Sequence, residues 1–277
     1  MHNTPEASPL GKAVTYLSHY APDLLHPIPR ASKRAEIGID QHTLPFGGED
    51  LWNAYELSWL NVRGKPVVAI GTFRVPVDTP NLIESKSLKL YLNSFNQTRF
   101  DTIGDVQAAI ARDLSQAAGG SVKVEIHSLN EQPQRTFVIP EGCLLDELNI
   151  DIDTYQPDPG FLQCNLHTTP VAETLYSHLL KSNCLVTGQP DWGMVVIRYV
   201  GPPINREGLL RYIVSFRDHN EFHEQCVERI FMDITRQCRP NQLTVWARYT
   251  RRGGLDINPF RSSQVDESFP NWHEVRQ

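Results

Sequence analysis

One pattern occurs twice along this 277-residue chain, and that repetition limits its architecture more than any other feature. Residues 50–60 form an aromatic-rich, strand-like run. After the turn at Arg63, Gly64, Lys65 and Pro66 comes a β-branched run over 67–75, and two such runs about a Gly-containing turn predict a β-hairpin. Leu88, Tyr91, Leu92 and Phe95 recur at i, i+3, i+4, i+7, which is one face of a helix. A second helix fits 103–118, stopped by Gly119 and Gly120, and 121–129 then alternates as a strand. The order returns in the second half. The pattern predicts a strand over 182–187, a turn over 188–191, a return strand over 193–200, a helical face at Leu209, Leu210, Ile213 and Val214, a helix over 222–234 and a strand over 242–250. The copies also match locally: Ser94-Phe95-Asn96 with Phe100 lies on Ser215-Phe216-Arg217 with Phe222, at an offset of 121 (215 − 94) growing to 122 (222 − 100). A ββααβ unit read twice implies two copies of one α+β module. Residues 1–50, punctuated by Pro22, Pro27, Pro29, Pro45, Gly47 and Gly48, read as a loop-rich extension. A first module over 51–160 and a second over 161–277 follow, joined near Pro157 to Gly160.

Composition narrows the class. With 40% hydrophobic and 21% charged residues, the chain is neither disordered nor fibrous. A net charge of −6 argues against a general grip on nucleic acid, while leaving room for a local basic pocket. No apolar run approaches the ~18 residues of a membrane span, and the first residues lack the basic start and apolar stretch of a signal peptide. Five cysteines with no Cys-x-x-Cys pair support neither a disulfide framework nor a thiolate zinc site. These readings predict a cytoplasmic protein with reduced thiols.

Four groups of residues can carry chemistry. Cys184 stands before the turn that ends at Asp191, seven positions on, so a hairpin can bring that carboxyl to the sulfur. A nucleophilic thiol needs partial exposure and a neighbour that takes its proton; taken alone, Cys184 reads as an inert buried thiol, as do the other four cysteines. His219 and His223 are four apart, but the metalloprotease helix requires Glu directly after the first His, where Asn220 stands here. His223 with Glu224 at a helix start suits a polar ligand instead, or simply a solvated helix end. Glu84, Ser85, Lys86, Ser87 and Lys89 open the first helix, and that pattern fits both anion binding and an ordinary cap. Arg248, Arg251 and Arg252 before Gly253 and Gly254 form a basic knot that either grips phosphate or covers a turn. No G-x-G-x-x-G, Walker or G-x-S-x-G pattern occurs.

In combination these segments resemble the NADPH-dependent 7-cyano-7-deazaguanine reductases, the nitrile reductases of queuosine biosynthesis. Residues 83–91 (IESKSLKLY) resemble the family signature. Residues 180–193 resemble its Cys/Asp segment, 220–224 (NEFHE) its substrate-binding segment and 249–259 its C-terminal motif. The likeness runs from about Leu10 to Pro259 and is to the long form, with the signature in the first module and Cys, Asp, His and Glu in the second. It implies an α+β fold of two tandem tunnelling-fold (ββααββ-type) modules with antiparallel sheets and helices on one face, assembled as a homodimer. It further implies Cys184 as a nucleophile forming a covalent thioimide and Asp191 as its proton-transfer partner. Ile83, Glu84, Ser85, His223 and Glu224 are implied in substrate binding, and Ser85, Lys86, Arg252 and Gly253 in contacts to NADPH, used twice per turnover. No metal, membrane or direct nucleic-acid partner is expected. A free thiol titrates near about 8.5, so Asp191 or nearby cations must make thiolate available. Two rivals remain: a zinc-dependent cyclohydrolase relative on the same fold, and a non-catalytic reader of a modified base or of tRNA.

Overall fold

The computed structural model describes residues 16–131, 136–264, 267 and 270–277; the beginning of the family likeness at Leu10 and part of the Pro-bearing stretch after 131 lie outside them. Residues 16–46 hold more regular structure than their prolines suggest. They include β1 (Pro27–Pro29) and α1 (Arg30–Glu36), with Arg30 and Arg34 buried. Proline at 27 and 29 is compatible with an edge strand, and β1 pairs only with β4 (Asn81–Ile83), in a two-stranded sheet.

The first unit consists of β2 (Gly47–Leu60), β3 (Pro66–Pro76), β4, α2 (Ser85–Asn93), α3 (Ile103–Ala118) and β5 (Lys123–Ser128). After β6 (Cys143–Leu144), the second consists of β7 (Val171–Asn183), β8 (Pro190–Gly201), α4 (Arg206–Ser215), α5 (His223–Cys238), β9 (Gln242–Tyr249) and β10 (Leu255–Ser262). The order strand–strand–helix–helix–strand thus occurs in both, and local details recur. Both hairpins carry a register shift at matching places, Ala54/Leu57 and Ser177/Leu180. Tyr91 donates to Asp113 at 2.7 Å and Tyr212 to Asp233 at 2.7 Å; Ser94 and Ser215 each donate back to the carbonyl of that tyrosine at 2.6 Å.

The antiparallel strands expected in both units lie together in one large sheet. Eight strands run β5-β3-β2-β10-β9-β8-β7-β6, antiparallel at every junction except β6 with β7. Strand β10 makes the join: it pairs with β9 on one side and along its whole length with β2 on the other. One face of the sheet carries two cores. Trp52, Phe73, Val124 and Ile257 pack with α2 and α3, while Val195, Ile197, Val245 and Tyr249 pack with α4 and α5. The opposite face holds Leu51, Met194, Val196, Trp246 and Phe260, covered in part by Leu144 and Trp272. Among the described residues no helix is long and apolar enough to cross a membrane.

The second hairpin differs from expectation at its tip. Strand β7 begins eleven residues before 182 (182 − 171) and ends at Asn183, and β8 begins at Pro190. Asp191 is thus a strand residue registered with Ser182, and Cys184 lies in the turn. Two bonds, Cys184 N–H to Gln189 O (2.9 Å) and Gly188 N–H to Cys184 O (3.0 Å), close the turn below the strand ends. That satisfies the buried amides and shifts the strand boundary away from the β-branched residues that suggested it.

Candidate active site

Three separate pieces of chain meet at one end of the sheet. The first is the β4–α2 junction. Glu84 is the N-cap of α2, and its two carboxylate oxygens accept from Lys86 N–H (2.7 Å) and Ser87 N–H (2.8 Å), two of the amides that a helix start leaves unbonded. The extension fixes this junction from outside: Glu84 N–H donates to His26 O at 3.0 Å and His26 N–H to Ser87 Oγ at 3.0 Å. The second piece is the β7–β8 turn with Cys184 and Asp191. The third is the start of α5, tied to that hairpin by Asn183, whose N–H donates to His219 O (2.8 Å) and whose carbonyl accepts from Glu221 N–H (3.0 Å).

These pieces, with Arg252, enclose a single cavity lined by Ile83, Glu84, Ser85, Cys184, Asp191, His223, Glu224 and Arg252, and by the apolar walls Trp52, Leu82, Phe222 and Ile257. Both predicted catalytic residues and all five predicted substrate residues therefore share it. Its free space is about 10 Å³, room for about one water, so a planar ring enters only as the walls part. Cys184 is 3% exposed and packs with Ile28, Leu82 and Phe222; one side of the thiol is apolar and the other lines the cavity.

The electrostatics are specific. Asp191 Oδ1 lies 3.1 Å from Arg252 Nη1 and 3.6 Å from His223 Nε2. Its Oδ2 is buried with no hydrogen-bond partner among the described residues, an acceptor of the kind proton transfer needs. Burial pushes the His223 imidazole down to about 4, with Arg252 and Lys89 acting in the same direction and Asp191 against it. The ring is thus neutral near pH 7, and it stands edge-on to Tyr249 with centroids 4.0 Å apart. Burial, then Asp50, pushes the Glu224 carboxyl up to about 8.

Lys89, read from the sequence as one of the charges that open the first helix, was assigned no substrate or cofactor contact. It is half-buried one turn along α2 from Lys86, and burial and Arg252 push its ammonium down to about 8, against Glu84, Asp191 and Cys184. The signal available was its i, i+3 spacing from Lys86. Phe222, Trp52 and Ile257 were also missed as walls, since single apolar residues carry no mark of their position.

Gly253 and Gly254 have φ of +61° and +75°, which favours glycine, and their turn is closed by Arg252 N–H to Leu255 O at 2.9 Å. A Cβ at 253 would stand 3.0 Å from the Lys89 ammonium nitrogen, and one at 254 would stand 2.5 Å from the Glu56 carboxylate. A second cavity of about 170 Å³ opens here, lined by Tyr16, Glu56, Lys89, Asn93, Gly253 and Gly254. Of the predicted cofactor residues, Ser85 and Arg252 face the first cavity and Gly253 the second, while Lys86 lies on neither lining.

His219 is not on the α5 helix. Its Nε2 lies 3.0 Å from Glu221 Oε2, and Arg229 holds the same carboxylate through two further bonds. No group of three or more His, Cys, Asp or Glu side chains suited to a metal occurs among the described residues.

A thiol, a carboxylate oxygen with no hydrogen-bond partner among the described residues and an imidazole share this cavity, flanked by cations, equipment that an oxidoreductase can use. The comparisons with known proteins agree on the class. Residues 16–126 match the family model described as "Nitrile reductase, 7-cyano-7-deazaguanine-reductase N-term", and 190–268 the one described as "QueF-like protein". Relatives named NADPH-dependent 7-cyano-7-deazaguanine reductase are 68% identical in Aromatoleum aromaticum and 67% identical in an Azoarcus species, each over 98% of this chain and 96% of the relative. A third, from Dechloromonas aromatica, is 66% identical over 98% of this chain and 95% of its own length. The chain belongs to the family of NADPH-dependent 7-cyano-7-deazaguanine reductases.

Proposed function

We propose that this protein reduces the nitrile of 7-cyano-7-deazaguanine to the aminomethyl group, with Cys184 forming a covalent thioimide and Asp191 moving the proton. The observation that carries this reading is the shared cavity: Cys184, the buried free Oδ2 of Asp191, and the ring-reading pair His223 and Glu224 line it together.

The chemistry follows from the parts. Cys184 Sγ bonds to the nitrile carbon, one C≡N π bond opens, and the thiol proton passes by way of Asp191 to the nitrogen, giving an S–C(=NH) thioimide. Splitting a difficult addition into two easier ones is what a covalent nucleophile contributes. NADPH would supply the four electrons as one hydride from each of two molecules, with two protons from solvent completing the amine and Cys184 released as thiolate between the two reductions. Glu224, as carboxylate, accepts the two N–H donors of the guanine-like edge. Neutral His223 adds one hydrogen bond without adding charge. Trp52, Phe222 and Ile257 contact the ring faces. The residues toward the cofactor suit a polyanion: Ser85 supplies a hydroxyl, and Lys86, Lys89 and Arg252 supply charge around a turn that glycine keeps free of side chains. As in the family likeness, the two units are read as tandem tunnelling-fold modules that assemble as a homodimer.

Mass spectrometry of the protein mixed with the nitrile, without NADPH, tests the covalent step. One adduct of substrate mass on Cys184, absent in Cys184→Ala, is expected. An adduct elsewhere, or an active alanine variant, defeats the mechanism.

A further inference from the structure

Behind Glu224 lies an array of charges that the reaction itself does not use. Asp50 on β2 accepts a hydrogen bond from Arg30 at 2.6 Å and forms an ion pair with Arg261 on β10 at 2.8 Å, its Oδ1 having no hydrogen-bond partner among the described residues. Glu228, one turn after Glu224 on α5, bonds Arg261 at 2.9 Å and Arg34 at 2.7 Å. All five side chains are at most 3% exposed. Such burial costs several kcal/mol per ion, so an array of this size calls for a reason.

Counting gives one. Three guanidiniums, Arg30, Arg34 and Arg261, face two carboxylates, Asp50 and Glu228, which leaves one positive charge in excess. Arg30 also has a buried Nε with no hydrogen-bond partner among the described residues. Glu224 adjoins the array, being buried one helical turn before Glu228, which pairs with Arg261; Asp50 pushes its carboxyl up, and Arg30 and Arg261 pull it down.

We propose that Arg30 and Asp50 are positioning residues: through the Arg30–Asp50–Arg261–Glu228 array they govern the charge on Glu224, and with it whether the cavity accepts two N–H donors from a guanine-like edge. The inference rests on the reading of Glu224 as a substrate-binding group. Asp50 opposes ionisation of Glu224, while Arg30 and Arg261 favour it. The remaining titratable or charged groups toward Glu224 are His223 on its own helix, Asp191, Cys184, Arg252 and Glu84 around the cavity, and Tyr249 on β9. None of these is itself changed in the Arg30 and Asp50 variants. The extension that contributes Arg30 thus takes part in recognition as well as in packing.

The two changes must act in opposite senses. Substrate binding needs ionised Glu224, so kcat/KM falls on the acid side of its titration. In Asp50→Asn that acid limb moves to lower pH by about one unit, and in Arg30→Met it moves to higher pH by about one unit. Arg30→Lys, which keeps the charge, leaves it near the wild-type position. Thermal unfolding confirms that each variant is folded, and if Asp50→Asn is not, the contrast between Arg30→Met and Arg30→Lys decides alone. Limbs that move the same way, or not at all, overturn the inference. Glu224→Gln separates the two readings. If it raises KM and abolishes the limb while the array variants do nothing, only the inference fails. If it leaves KM unchanged, the role of Glu224 fails first.

Discussion

The two halves of this molecule are built alike and have kept different things. In the first, α2 is capped by Glu84, which lines the cavity; in the second the corresponding cap of α4 is Asn205, bonded to Gly208 N–H at 2.8 Å and remote from it. At the other helix start the roles reverse. Helix α3 opens with an ordinary capping box, Thr102 with Asp105, exposed to solvent, while α5 opens with Phe222, His223 and Glu224 in the cavity. The hairpins divide in the same manner. The turn at 61–65 is closed by Asn61 and its neighbours and is largely exposed, and the turn at 184–189 carries the thiol. Each half has one helix start that lines the cavity and one that does not, so the lining draws on both halves.

The widest contrast to test is that of the two hairpin turns. Cys184→Ala lowers turnover by at least about a thousandfold, while Arg63→Ala in the first turn changes kcat/KM by less than about twofold; steady-state assay of NADPH oxidation checks both. Next comes Glu224, set against its inert counterpart. Its carboxyl titrates near 8 in the folded protein and at an ordinary 4.5 when unfolded, so stability is lost as pH rises between those values. Glu224→Gln raises KM about tenfold or more, yet at pH 8 it melts about 5 °C higher than wild type, a gap that closes toward pH 5. A substitution at Thr102 shows neither the KM effect nor the pH-dependent gain. The two caps sharpen the comparison further. Glu84→Ala and Asn205→Ala each cost about 1 kcal/mol in denaturant unfolding, and only the former raises KM.

The smallest expected difference concerns the repeated tyrosines. Tyr212→Phe costs about 1–2 kcal/mol by leaving Asp233 without its tyrosine donor. Tyr91→Phe costs less, because Tyr20 also donates to Asp113. Equal losses in chemical unfolding would mean that Tyr20 contributes nothing.

What the sequence disclosed follows from how local each cause is. Helix α3 was legible to the residue, since its apolar spacing, its capping and the left-handed Gly119 after it all lie within the segment. Strand β10 was not: it carries Asp256, Asn258, Pro259 and Arg261, and its polar residues are buried by partners more than two hundred positions away, such as Asn53 to Asp256 at 2.8 Å. The same distance hid the array behind Glu224, because Arg34 and Glu228 are separated by 194 positions. Asp191 was displaced from turn to strand for a nearer reason, since Pro190 begins β8 where a proline suggested a break. The Cys, Asp, His and Glu of the site were found only because several motifs coincided; none announced itself alone.

The pairing of β10 with β2 has a bearing on biosynthesis. When the first half leaves the ribosome, the β2 edge of its sheet is unsatisfied, and the strand that covers it begins 195 residues after β2 ends (255 − 60). Until then that edge is open to mispairing with neighbouring chains. Synthesis of β10 therefore protects this edge, so a product terminated before it would be prone to aggregate.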